Sequence, residues 1–328
     1  GDVYKRQPLE ATKFFMPRFC SSVAISTVPT STPPVSNSGS TCKTTGDFSL
    51  LLAILTLLSL SNLTNRRGFC FMPLYTYETQ FTTEFEYSQA KTANINKNTP
   101  KLTVVYLHGL CSSPWGEKPE AIKAMVLSAG LDFLRFELAG HGSDIANYAK
   151  ADFNVWKRQT LEVIDTLVEG DVLMVGSSIG GWLSLIAARE RPERVKGLIG
   201  LAAAPECQKD LYAYAFNEEQ IAKLESGESL EFGTKDFSYV FTKKLIDSCR
   251  QNSLLDKPLE INCPVQLLHG QEDACVPWKR ALEIADRLTS EKVTVKLLKH
   301  GSHRLQSPSD LAEVNHSLSA LLEMIRPA

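Results

Sequence analysis

The sequence predicts an α/β fold, a mainly parallel sheet flanked by helices with a small helical insertion. From about residue 100, short strand-like runs alternate with stretches of helical periodicity. The strand-like runs are almost continuously apolar, as expected when helices cover both faces of a sheet. The alternation breaks once, over residues 206–258, where the chain turns polar, aromatic and mostly helical in pattern, and then resumes.

The elements follow in order. Residues 101–110 (KLTVVYLHGL) form an apolar, β-branched run ending in glycine and leucine, the look of a buried strand. Helical spacing covers residues 117–129 and stops at Gly130. Residues 132–138 read as a second strand, closed by the turn Gly140-His141-Gly142. Phe153, Trp156, Leu161, Ile164 and Leu167 make the apolar stripe of a helix over 153–168. A strand at 171–176, a helix at 181–189 and a strand at 195–203 complete the first block. After the insertion come strands at 265–269 and 293–298, separated by a helix at 278–288, and a closing helix over 308–325. The expected domain spans 75–328, with 206–258 as a lid over the carboxyl edge of the sheet.

Composition narrows the function. Lys+Arg 35 against Asp+Glu 37 leaves a net charge of −2, and no basic stripe interleaves with aromatics, so no nucleic-acid partner is expected. Glycine-rich phosphate loops are absent, which argues against nucleotide binding. The domain's five cysteines, Cys111, Cys207, Cys249, Cys263 and Cys275, show neither C-x-x-C pairs nor zinc-finger spacing. They read as free thiols of a reducing compartment, and no metal is expected.

Residues 1–74 differ in kind. The opening Gly1-Asp2-Val3-Tyr4-Lys5-Arg6-Gln7 resembles adapter-derived translation. Residues 20–47 are rich in Ser, Thr and Pro with Asp47 as the single acid, a composition expected to stay disordered. The apolar run Phe48–Leu60 is shorter than the roughly 20 residues that span a bilayer, so no stable membrane span is expected. With Arg66-Arg67 behind it, the segment suits an organelle presequence, mitochondrial or other; a secretory or plastid route is also open. The alternative is upstream untranslated sequence read in frame, with initiation at Met16 or even Met72; if the extension is not translated, a cytoplasmic protein is expected.

The sharpest motif is Gly176-Ser177-Ser178-Ile179-Gly180, which matches G-x-S-x-G directly after the apolar strand DVLMV and before a helix. That context defines the nucleophile elbow of the α/β-hydrolase fold. A sharp turn lifts a serine side chain above the sheet and crowds its own backbone, so small residues are needed two positions to either side. A serine hydroxyl is almost un-ionised at neutral pH and needs a base. In this fold an acid and then a histidine follow the serine in the chain. The strand at 265–269 runs into Gly270-Gln271-Glu272-Asp273, and the strand at 293–298 runs into His300-Gly301-Ser302-His303. Groups at the carboxyl ends of parallel strands converge. Asp273 is preferred to Glu272 because it lies one step farther into the loop. His303 is preferred to His300 because it has cleared the strand and the Gly301 turn. The oxyanion donors are expected to be the backbone N–H groups of Ile179, after the nucleophile, and Leu110, in the His108-Gly109-Leu110 segment, with Cys111 as the second choice.

The stretches VGSSIGGWLSLIAARERPERVKGLIGLAAAPE, INCPVQLLHGQEDACVPWKRALEIADRL and KHGSHRL resemble a family of mitochondrial palmitoyl-protein thioesterases, also known as acyl-glucuronide esterases. This is the family of alpha/beta hydrolase domain-containing protein ten, and related bacterial hydrolases look similar. The resemblance covers residues 100–327. It places nucleophile, acid and base on Ser178, Asp273 and His303, the residues already chosen. It implies hydrolysis of acyl esters or thioesters, including S-acylated proteins, through an acyl-enzyme and without a cofactor. A general carboxylesterase, lipase or serine peptidase would use the same triad. A catalytically idle ligand-binding protein on this scaffold is the alternative from another class.

Overall fold

A computed structural model describes residues 71–77, 81–90, 101–234 and 237–325. The expectations for residues 1–70, including the apolar run Phe48–Leu60, lie outside the described residues. Two N-terminal strands, β1 (Phe71–Tyr77) and β2 (Phe81–Ser88), open the sheet, so strand structure begins four residues ahead of the expected start at residue 75. They are followed by β3 (Leu102–Leu107), α1 (Glu117–Ser128), β4 (Asp132–Phe136), a 3-10 segment (Gly142–Lys150), α2 (Phe153–Leu167), β5 (Asp171–Ser177), α3 (Ile179–Glu190) and β6 (Val195–Leu201). After the insertion come β9 (Val265–Gly270), α7 (Lys279–Arg287), β10 (Val293–Leu298) and α8 (Pro308–Ile325).

The main sheet has the order β1-β2-β4-β3-β5-β6-β9-β10. Strands β4, β3, β5, β6, β9 and β10 run parallel, while β1 and β2 are antiparallel additions at one edge. From β3 the chain goes first to β4 on one side and then to β5 on the other. The strand order therefore reverses between β3 and β5. At such a switch point the loops leaving the two strands diverge and open a crevice at the carboxyl edge.

Period-two side chains divide the core between the two faces. Val105, Leu107, Val172 and Met174 point to the face covered by α2 and α3, whereas Val104, Tyr106, Leu173 and Val175 point to that covered by α1 and α8. Each fully buried aliphatic side chain contributes about 1.5–3 kcal/mol through apolar burial. Helix α3 is buried on all sides from Ile179 to Ala188, as its lack of charged residues over that span requires, with the one polar side chain, Ser184, bonded to the Gly180 carbonyl. Trp182 of α3 packs its ring 4.2 Å from Phe153 of α2 and donates its indole N–H to the Asn252 carbonyl at 3.1 Å.

The insertion is less uniformly helical than its pattern predicts. It holds α4 (Cys207–Asp210) with a π turn over Leu211–Ala215, α5 (Glu218–Glu225), a hairpin of β7 (Leu230–Thr234) and β8 (Phe237–Phe241), and α6 (Lys243–Gln251). Phe216 packs edge-on against Phe232 and Phe241 at 5.3 and 5.4 Å, so the aromatics that looked helical brace the hairpin.

Glu206 joins the two ends of this insertion. Its fully buried carboxylate accepts the backbone N–H groups of Leu254 (2.7 Å) and Leu255 (3.1 Å), the Ser253 hydroxyl (2.9 Å) and the Lys209 ammonium (2.9 Å). Burial raises the carboxyl pKa, but Lys209 and the three donors at 253–255 outweigh it and hold the group below the usual range. Glu206→Ala strands those donors. The expected loss is about 3 kcal/mol of unfolding free energy, measurable by urea titration, because buried unpaired polar groups cost that order.

Candidate active site

The sharp turn at Ser178 follows directly from the end of β5. Ser178 has φ 56° and ψ −119°, a conformation rarely adopted by residues with a Cβ and costing about 1–3 kcal/mol. Four backbone hydrogen bonds hold it there. Its N–H donates to the Leu201 carbonyl (2.9 Å), and its carbonyl accepts from Gly181 (2.9 Å), Trp182 (3.2 Å) and Ala204 (3.1 Å). A Cβ on Gly176 would fall on the Gly180 carbonyl and Ser184 Oγ, and one on Gly180 on the Leu107 and His108 carbonyls. The spacing of the motif thus has a steric cause.

Asp273 lies in the loop after β9 and His303 in the loop after β10. His303 Nδ1 donates to Asp273 Oδ2 at 2.7 Å, and the acid's side chain is wholly buried. The pair set aside in the sequence has its own contact: His300 Nδ1 meets Glu272 Oε1 at 2.9 Å, with both side chains largely exposed.

Sequence reasoning missed a second histidine on the same acid. His269 Nε2 lies 3.0 Å from Asp273 Oδ2 and 3.1 Å from the Val276 carbonyl; two acceptors at that nitrogen make it the protonated one. Its signal was hidden inside the apolar run of β9, where a histidine reads as a strand residue. Asp273 Oδ1 accepts the N–H groups of Cys275 and Val276, both at 2.8 Å. Burial raises this carboxyl's pKa, but the bonds from His269 and His303 and the His303 charge outweigh it and hold the pKa far below the usual range.

The loop after β3 carries the expected oxyanion segment. A Cβ on Gly109 would stand 3.2 Å from Ser178 Cβ, so the loop runs directly beside the elbow. Cys111, the second choice as donor, gives its N–H to His141 Nε2 at 3.1 Å. Ile179 opens α3, where a helix leaves its first N–H groups without an internal acceptor. His108 and His141 hold this loop as neutral rings. His108 Nδ1 donates to the Gly109 carbonyl (2.7 Å) and Nε2 accepts from Leu138 (3.0 Å), while His141 Nδ1 faces the Ala139 carbonyl (3.3 Å). Burial pushes their pKa values down to about 3 and about 4. Gly140-His141-Gly142, read from sequence as a plain turn, thereby anchors the neighbouring loop.

A small apolar pocket adjoins these loops. Leu110, Trp156 and Ile179 line it from the core, and Cys207, Leu211, Phe241, Leu245, Ile246 and Cys249 from the insertion. Among the described residues one group could approach a cation, Asp273, Cys275 and His303, whose ligand atoms lie within 4.8 Å of one another. All four acceptor positions of Asp273 are already taken by N–H donors, so this carboxylate is built for the two histidines rather than a metal.

Residues 104–315 match the Alpha/beta hydrolase family. The chain belongs to that family, and is a hydrolase. It is 33% identical over 232 residues to the human mitochondrial palmitoyl-protein thioesterase ABHD10, an alignment spanning 68% of this chain and 73% of that protein. The structure of mouse alpha/beta hydrolase domain-containing protein 10 superposes with a TM-score of 0.69 at 29% identity, covering 79% of this hydrolase and 100% of that chain. Human monoglyceride lipase shares 30% identity over 108 residues, 31% of this chain and 34% of its own.

The neutral histidines set a pH dependence. Each binds a proton when unfolded, near the ordinary imidazole value of 6.5, but not when folded. Stability therefore falls as pH drops from 7 to 5, by an expected 1–2 kcal/mol for each ring, on the order of a proton's linkage over that window. Urea midpoints at pH 7 and 5 should show the loss, and His141→Gln should reduce it by about half, leaving the His108 share.

Proposed function

We propose that this hydrolase cleaves acyl thioesters or esters through an acyl-enzyme on Ser178, with His303 as general base and Asp273 as the acid that orients it. The observation that carries the reading is the 2.7 Å contact between His303 Nδ1 and Asp273 Oδ2. It commits the Nδ1 proton to the carboxylate and leaves Nε2 as the basic atom for the serine. His303 takes the Ser178 proton as Oγ attacks the acyl carbonyl, then returns it to the departing thiol or alcohol. It next deprotonates the water that releases the acid. The N–H groups of Leu110 and Ile179 are assigned to the oxyanion, since the Cys111 N–H is already occupied. No step needs a metal or organic cofactor.

The apolar lining of this pocket, Leu110 and Ile179 beside the elbow among it, supports an apolar acyl group as the part of the substrate that the site contacts. The palmitoyl-protein thioesterase name of the human relative supports an S-acylated protein as substrate, and its mitochondrial designation supports the same compartment for this chain. The likeness to monoglyceride lipase favours a second reading, a general lipid esterase with the same triad. Among the described residues no helix is long and apolar enough to cross a membrane.

Labelling the full chain with a fluorophosphonate, mapping the adduct, and comparing palmitoyl-thioester with short-chain ester turnover tests the reading. Adduct on Ser178 with faster thioester cleavage is expected; a folded protein without adduct overturns it, and short-ester preference selects the esterase. Ser178→Ala should remove turnover by several orders of magnitude. Asp273→Asn should lower it about 10⁴-fold, by analogy with the general triad, while Glu272→Gln leaves it within about twofold. Ile246→Trp, which crowds the apolar pocket, should lower the palmitoyl rate about tenfold and spare acetyl esters, since overpacking penalises the longer chain.

A further inference from the structure

Lys118 stands in the first turn of α1, with its side chain partly buried. Its ammonium donates to Ser177 Oγ at 2.9 Å and to the Arg304 carbonyl at 2.7 Å. Ser177 immediately precedes the candidate nucleophile, and Arg304 immediately follows the candidate base. Both acceptors are neutral, and no carboxylate contacts the ammonium among the described residues. Stability alone offers little reason for a lysine here. A cation in the first turn opposes the helix dipole, and partial burial strips water from the charge.

The loop that carries His303 explains what the bond can do. Asp273 fixes one ring nitrogen, which still allows the imidazole to swing about that contact as its loop moves. Ser302 and Leu305 close a turn around His303, with Leu305 at φ 46°, a strained conformation for a branched side chain. A tie on the Arg304 carbonyl stops this turn from moving away from the elbow.

We propose that Lys118 is a positioning residue for the catalytic pair: its ammonium joins the residue before Ser178 to the residue after His303 and sets their separation. The proposal rests on the reading of Ser178 and His303 as nucleophile and base. Lys118 touches neither of them and acts through their neighbours. A displacement of about 1 Å between reacting groups can lower a rate about 10²-fold, so one hydrogen-bonded bridge is enough to matter.

Burial, together with the Arg304 charge and against the attraction of Asp310, pushes the Lys118 pKa down to about 8. Arg304 from the base loop and Asp310 of α8 are the charged groups that face it, alongside the Ser177 hydroxyl; Arg135 of β4 is turned to Glu86 and Glu120 instead. Because the charged form is the disfavoured one, the ammonium is intact below about pH 8 and is lost above it.

The test uses the full chain and a chromogenic butyryl ester. Lys118→Met should lower kcat about 10²-fold with KM within about twofold, and Lys118→Arg should recover most of that loss. The wild-type rate should decline above about pH 8, and this limb should move up by more than one pH unit in Lys118→Arg, whose guanidinium stays charged. Ser177→Ala removes one acceptor, should lower kcat about fivefold, and decides the matter should Lys118→Met not fold. The proposal is overturned if folded Lys118→Met keeps wild-type kcat, or if Ser177→Ala does. It is also overturned if Lys118→Met and Lys118→Arg lose activity equally with an unmoved pH profile, the mark of a merely structural residue. Ser178→Ala measured in parallel separates the two levels: inactivity there with full activity in Lys118→Met overturns the positioning role alone.

Discussion

The backbone at Ser178 is the constraint on which the rest of the carboxyl edge depends. A residue with a side chain is held at φ 56°, and the sheet keeps it there through Leu201 on one side and Gly181, Trp182 and Ala204 on the other. Those partners belong to β6, to α3 and to the segment leaving β6, so the strain is carried by three elements at once. Relaxing the turn would break hydrogen bonds in all of them. The glycines at 176 and 180 matter because the strand, helix and neighbouring loop come too close for a Cβ. The loop of Gly109 can then lie against the serine, where α3 begins.

Electrostatics around the site fall into two regimes. Asp273 is surrounded by four N–H donors and stays ionised despite burial. His108 and His141 are buried without an acidic partner and stay neutral, each using one nitrogen to donate and one to accept. The same residue type therefore serves opposite ends. Beside a carboxylate, an imidazole can gain a proton during turnover. Inside an apolar shell with the Trp156 and Tyr148 rings, it is a rigid spacer that keeps the loop after β3 in shape.

The parts legible in the sequence were those governed by local pattern. Strand periodicity, the glycine spacing around Ser178 and the placement of Asp273 and His303 past strand ends are all readable within a dozen residues. The alternation of elements was enough to recover a mainly parallel sheet, though not the order of its strands. Less legible was whatever depends on a distant partner. His269 looks like any polar residue at the end of a strand until Asp273 folds back on it. Lys118 lies 186 positions from one of its acceptors, so no local spacing announces it. The hairpin in the insertion was obscured because Phe232, Tyr239 and Phe241 suit a helix face as readily as a strand, and the packing of Phe232 and Phe241 on Phe216 decides between them.

The carboxylate of Glu206 has a consequence for how such a hydrolase can diversify. The insertion leaves the core at this residue and returns to it at Leu254 and Leu255. Both crossings are fastened to one side chain, so the intervening stretch behaves as a cassette clipped into a fixed socket. Its inward-facing residues can be exchanged, lengthened or shortened while the clip holds the two ends in place. Changes of that kind would resize the room offered to an acyl chain without disturbing the sheet-borne chemistry beneath. Selection for a new leaving group and selection for a new chain length could then act on separate parts of one small molecule.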